Sequence, residues 1–265
     1  MYQKLNLSKF KVVFTKYIPD DVENIIESFY VFGSLAKNEN LSRYSDIDAI
    51  LLIKAEHKIH FAKNEVLANF LQDINRETGV KIDPVVVTYD DLPEILSPVI
   101  IYNAYHAGVN IYGKNLKTFF KSSLNKCSKK ELLRSFLRHL IFRRHLIRKR
   151  LLNQNFRNKN NFSPDLIRDL AKEVVLSSRD LLTIKHGTWL RKKQEVVDLY
   201  VKLLEANPSL IIQANKIIED IDLLEGKDYY KFLRQSSEFI EDRVIECIKA
   251  YKEITRSKQL NLDSF

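Results

Sequence analysis

"FGSLAKNENLSRYSDIDAILLI", residues 32–53, places a Gly-Ser pair and a polar stretch ahead of Asp46-Ile47-Asp48, which runs into an unbroken apolar segment. The apolar segment reads as a strand covered on both faces. Successive strand side chains point to opposite sides, so Asp46 and Asp48 share one face while Ile47 turns to the core. Two carboxylates this close repel, and desolvating either one unpaired is costly. They either share a proton or hold a divalent cation, and only the cation lets both stay ionised near neutrality. Oxygen-only ligands with room for water and phosphate suit Mg²⁺ better than zinc. Asp83 in "VKIDPVVVT" (80–88), two residues after Lys81, is a third acid near the start of its own strand. If that strand lies beside the first, three carboxylates converge. Gly33 allows a sharp bend and close approach to a ligand. Ser34 then opens a short helix whose N–H groups and hydroxyl face an anion. The pattern suits an NTP with its phosphate tail at Gly33-Ser34 and metal bridging its phosphates to Asp46 and Asp48. Two-metal phosphoryl transfer is the chemistry it supports.

Outward from this stretch the pattern alternates. "DDVENIIESF" (20–29) has helical spacing with acids in its first turn, and "FYVF" (29–32) reads as a short strand ending at Gly33. A long amphipathic helix is expected from about His57 to Glu77, stopped by Gly79. Pro84 marks the third strand as an edge or a bulge. "PVIIYNAYHAG" (98–108) and "VNIYGKN" (109–115) read as a helix and a short closing strand. Beyond Lys117 the spacing is helical throughout, with candidates near 129–152, 164–186, 192–206, 209–223 and 228–257. Their breaks carry Gly, Pro or Asn. The expected fold class is α+β: a small α/β domain with a mixed sheet over 1–117, then a helical bundle over 118–265.

Six Gly and six Pro in 265 residues argue against disorder and against an all-β fold. No run reaches the ~18 apolar residues that span a bilayer, and the first residues lack a signal-peptide pattern. Cys127 and Cys247 make no disulfide framework. A soluble cytoplasmic protein without a membrane partner is expected. The net charge of +9 is concentrated: residues 121–160 carry 13 basic side chains against Glu131 alone, while the rest is slightly acidic.

Phe32-Gly33-Ser34, the spacing to Asp46-Ile47-Asp48-Ala49, and Asp83 resemble the DNA polymerase β-type nucleotidyltransferase superfamily. That resemblance implies that Asp46 and Asp48 hold the metals, and that Asp83 completes the second metal site or acts as base on the attacking hydroxyl. It implies that Gly33 and Ser34 bind the β- and γ-phosphates, with Lys37 and Ser45 as further nucleotide contacts. Lys37 stands where many relatives carry Arg, and Asn38 replaces the Gly that follows it.

In the helical half, Arg179, Leu181, Gly187 and Lys192-Lys193 resemble the outline of the aminoglycoside nucleotidyltransferase helical domain. This implies a small hydroxylated acceptor such as an aminoglycoside, and, since relatives in that group include dimers that share active sites, it allows a homodimer. A block of net +12 opposes that acceptor, which is itself a polycation, unless acids such as Glu219, Asp220, Asp222 and Glu225 line its site. Arg134, Arg138, His145 and Arg148 form a basic stripe beside the apolar face of their helix, suited to phosphate or RNA. Arg138 with His145 also resembles the ribonuclease motif of HEPN domains, and the alternative expectation is a toxin–antitoxin or defence protein acting on RNA or tRNA. His57 and His60 read as a surface pair.

Overall fold

The computed structural model describes residues 5–37, 46–54, 61–154, 162–204, 207–220 and 228–256. The chain divides into two compact units, Met1–Ser128 and Lys129–Phe265. The division falls after α7 (Lys117–Lys126) rather than at 117/118, because α7 packs on α6 (Pro98–Ala107) within the first unit.

Among the described residues the first unit is built on four strands, β1 (Ile26–Val31), β2 (Asp46–Ile53), β3 (Lys81–Val87) and β4 (Val109–Gly113), in the order β3-β2-β1-β4. β1 runs antiparallel to both β2 and β4, and β2 pairs β3 in parallel. The sheet is therefore mixed, and the parallel step is bridged by α4 (Phe61–Thr78), as a crossover requires. β3 is an edge strand, which is where Pro84 costs no ladder hydrogen bond.

Alternation along β2 sorts its side chains between two cores. Ile47, Ala49, Leu51 and Ile53 enter a core with Phe10, Phe14, Phe29 and Phe70. Ile50 and Leu52 enter the other, with Tyr30, Val87, Ile101, Ala104 and Phe120. In the first core Phe14 lies 4.4 Å, ring to ring, from Phe29 and meets Phe70 edge-on at 5.1 Å. Full burial of a side chain such as Phe14 contributes about 1.5–3 kcal/mol. Phe10 and Phe14 come from α1 (Leu7–Tyr17), a helix capped by the Asn6 side chain on the Lys9 N–H. The spacing of Phe10, Val13 and Phe14 is its signal, and our sequence reading did not place it. The helix expected over 20–29 is also shorter. α2 (Asp20–Ile25) ends where Ile26 enters β1, because 26–31 forms a central strand buried between two neighbours. The start of α4 expected near His57, and the His57/His60 pair, lie outside the described residues.

The second unit comprises, among the described residues, α8 (Lys129–Leu152), α9 (Pro164–His186), α10 (Lys193–Leu204), α11 (Pro208–Glu219) and α12 (Tyr229–Arg256). α9 is the central helix, packed by the other four and buried nearly all round. It starts at the Ser163 cap and ends at Gly187 in left-handed conformation, φ 66°. No helix among the described residues is long and apolar enough to cross a membrane.

Candidate active site

Lys81 pairs with Asp46, Ile82 with Ile47, and Asp83 with Asp48 along the parallel β2/β3 ladder. Residues paired in register face the same side, so Asp46, Asp48, Lys81 and Asp83 share one face of the sheet. That is the face continued by Ile50 and Leu52 on β2 and by Val87 on β3. The four charged residues are exposed at the starts of their strands, while Ile47 and Ile82 between them are buried on the opposite face. The Asn75 side chain of α4 accepts a hydrogen bond from the Ile82 N–H at 2.8 Å, which anchors the segment bearing Asp83.

Gly33 follows β1 with φ +74°, a region that side-chain-bearing residues rarely adopt, and opens the single turn α3 (Gly33–Ala36). α3 packs on β2, and the Phe32 N–H donates to the Asp48 carbonyl at 3.0 Å. A Cβ at Gly33 would overlap the Asp48 carboxylate oxygen. The bend and the acid are thus in direct contact, and the absence of a side chain at 33 leaves the room that the Asp48 carboxylate occupies. Ser34 lies within this turn and Lys37 ends it. Ser45 lies outside the described residues.

The donor set fits a hard divalent cation: three exposed carboxylates on one face, with no thiolate or imidazole among them. Among the described residues, no three acidic, His or Cys side chains already close on one point. The strands place the aspartates side by side, and side-chain torsions must bring the oxygens together. Lys81 was outside our predicted site. Its signal was the Lys-x-Asp alternation that puts it on the face of Asp83.

In the second unit the sequence-predicted cations separate. Arg134 and Arg138 are exposed on α8. Arg148 forms a double contact with Glu241 of α12, at 2.5 and 2.7 Å. Arg179 and Leu181 are buried, with Arg179 4.2 Å from the centre of the Trp189 ring. Glu219 and Asp198 border an α10/α11 groove of about 520 Å³ together with Lys216. Asp222 and Glu225 lie outside the described residues.

Residues 14–106 match the nucleotidyltransferase domain family. This segment is a polymerase β-type nucleotidyltransferase domain. The nucleotidyltransferase match runs from α1 into α6 and contains Gly33, Ser34, Lys37, Asp46, Asp48, Lys81 and Asp83. It stops short of α7 and of the entire helical unit. No curated protein matches the chain.

Proposed function

We propose that the chain transfers a nucleoside monophosphate from an NTP to an acceptor hydroxyl in a Mg²⁺-dependent reaction that releases pyrophosphate. One observation carries this reading: the β2/β3 register sets Asp48 beside Asp83, with Asp46 on the same face, against the Gly33 bend. Asp46 and Asp48 would hold the metal ions, and Asp83 would share the second or accept the acceptor's proton. Bound there, the ions would neutralise charge developing on the phosphates. Gly33 and Ser34 would present backbone and hydroxyl to the phosphate tail, and Lys37 at the end of that turn and Lys81 beside Asp46 would supply positive charge. Orientation of the acceptor hydroxyl for in-line attack is the protein's main contribution to rate.

The outline of the helical unit supports a small hydroxylated acceptor of aminoglycoside type, for which the acids of the α10/α11 groove offer countercharge. A second reading, an RNA acceptor, is favoured by the exposed basic face of α8. The test is radiolabelled NTP with Mg²⁺, a panel of aminoglycosides, and total RNA. Labelled product that disappears in Asp46→Asn supports the reading, and the labelled acceptor names the class. Product that survives Asp46→Asn rejects the metal assignment.

A further inference from the structure

The thirteen basic side chains of residues 121–160 do not act as one patch, because α8 divides its share between two faces. On its packed side Arg143 is buried and bonded to Asp180, with Glu173 at 3.4 Å. Arg144 and Arg148 both reach Glu241, and Arg150 reaches Asp169. Acids from α9 and α12 neutralise that side.

The opposite side is different. Arg134, Arg138, Phe142, His145 and Lys149 fall within about 80° of arc on a 3.6-residue helix, along about 22 Å of its length. All five are exposed. Phe142 is 57% exposed, whereas Phe136 of the same helix is 1% exposed. Neither Arg134, Arg138 nor Lys149 pairs with a carboxylate among the described residues. A structural cation on this helix finds an acid, and a structural phenylalanine finds the core. These residues do neither, and together they offer positive charge on both sides of an open aromatic ring.

We infer that the outward face of α8 binds single-stranded nucleic acid, with Arg134, Arg138 and Lys149 on phosphates and Phe142 stacked on a base. Unpaired strands present this alternation of anion and planar ring, whereas duplex DNA hides its bases from a stacking side chain. A polyanion without rings, such as a phospholipid surface, would leave Phe142 without a specific partner. The inference is independent of the transfer reading, since it concerns binding by the helical unit alone.

The experiment is fluorescence anisotropy of the full chain with a labelled oligoribonucleotide of about 16 nucleotides, titrated across salt. The expected result is binding whose log–log salt slope falls in magnitude by about 2 when Arg134, Arg138 and Lys149 are changed together to Gln. A control triple at exposed sites elsewhere in the unit, Lys202, Lys231 and Lys252 to Gln, removes the same charge and leaves the slope unchanged. Phe142→Ala weakens binding roughly tenfold without altering the slope, and Phe142→Trp restores it. A deoxy oligonucleotide of the same sequence separates a ribose-reading surface from a general single-strand surface, and either result supports the inference. Equal losses from both triples would mean bulk charge alone and overturn it. So would duplex binding as tight as the single strand, equal binding to phosphatidylserine vesicles, or a chain dimer that Phe142→Ala dissociates. Every substitution is on an exposed face, so circular dichroism and melting should match wild type. Asp46→Asn should bind the oligonucleotide normally, which keeps failure of the transfer reading separate.

Discussion

Each unit of this chain holds a group of charged residues, under opposite conditions. On the sheet, Asp46, Asp48, Lys81 and Asp83 stand exposed at strand starts, and backbone register determines their arrangement. In the bundle, Arg143, Arg179, Asp180 and Arg243 are buried at 1–8% exposure, and each is arranged by its partners. Arg143 bonds Asp180, Arg179 faces Trp189, and Arg243 bonds the Tyr200 hydroxyl and Glu246. The first arrangement contributes little to folding and remains open to a ligand. The second is part of the folding energy, because a buried ion that loses its partner keeps its desolvation cost. Charge alone therefore does not mark a site here; charge left in the open, without a buried partner, does.

One isosteric change in each unit separates the open acids from the buried ones. Asp48→Asn should abolish nucleotidyl transfer, about a thousandfold or more, and leave the melting temperature within a degree or two of wild type. Asp180→Asn should do the reverse, costing about 3–5 kcal/mol of stability in denaturant titration because Arg143 and Arg179 lose their shared acid. A large stability loss from Asp48→Asn would make the sheet acids structural and collapse the distinction.

The two groups also differ in how far the sequence disclosed them. Asp46-Ile47-Asp48 announces its geometry, since period-two alternation is local and the apolar run that follows sets the strand. Asp83 is readable as an acid at another strand start, but its pairing with Asp48 rather than with Asp46 is a matter of register, which depends on the whole sheet. Lys81 shares the face of Asp83 by local alternation, but its pairing with Asp46 is likewise a matter of register. The bundle pairs were not legible: Arg143 and Asp180 are 37 residues apart. Arg148 looked like a phosphate ligand until Glu241, 93 residues away, was placed against it. Helix spacing in the second half was clear because Leu and Ile recur at 3.6-residue intervals. α1 and the entry into β1 were obscured by short segments whose fate is decided by tertiary burial.

Two further changes refine the contrast. Gly33→Ala forces a side chain into positive φ and against the Asp48 carboxylate. The strain should cost about 1–2 kcal/mol, but transfer should fall roughly a hundredfold, as a misplaced reacting group does. In the bundle, burial, followed by the neighbouring Arg143, holds the His139 imidazole down to about 4 from its ordinary 6.5, and Asp180 opposes the shift. Its Nδ1 is buried without a hydrogen-bond partner, as suits a neutral ring. Between pH 6.5 and 4 the unfolded chain takes up a proton that the folded chain refuses, so stability rises with pH across that window. Acidifying from pH 7 to 5 should cost about 2 kcal/mol through this residue. The difference between wild-type and His139→Gln denaturant midpoints should shrink correspondingly as the pH falls.

The smallest effect tests whether burial, rather than pairing as such, separates structural from available charge. Arg148 and Glu241 make a short two-pronged contact, yet the Arg148 side chain is 55% exposed and Glu241 32%. Water competes for both partners, and the long side chains lose rotamer freedom when they pair. A double-mutant cycle with Arg148→Gln and Glu241→Gln should return a coupling of about 0.2–1 kcal/mol that shrinks in high salt. The same cycle on Asp180 of α9 and Arg143, which lies about one and a half turns before Arg148 on α8, should return several times more and change little with salt. If the two couplings were equal, burial would not be the variable that matters. The Arg148–Glu241 pair would then hold the packed side of α8 as firmly as the buried Arg143–Asp180 pair does.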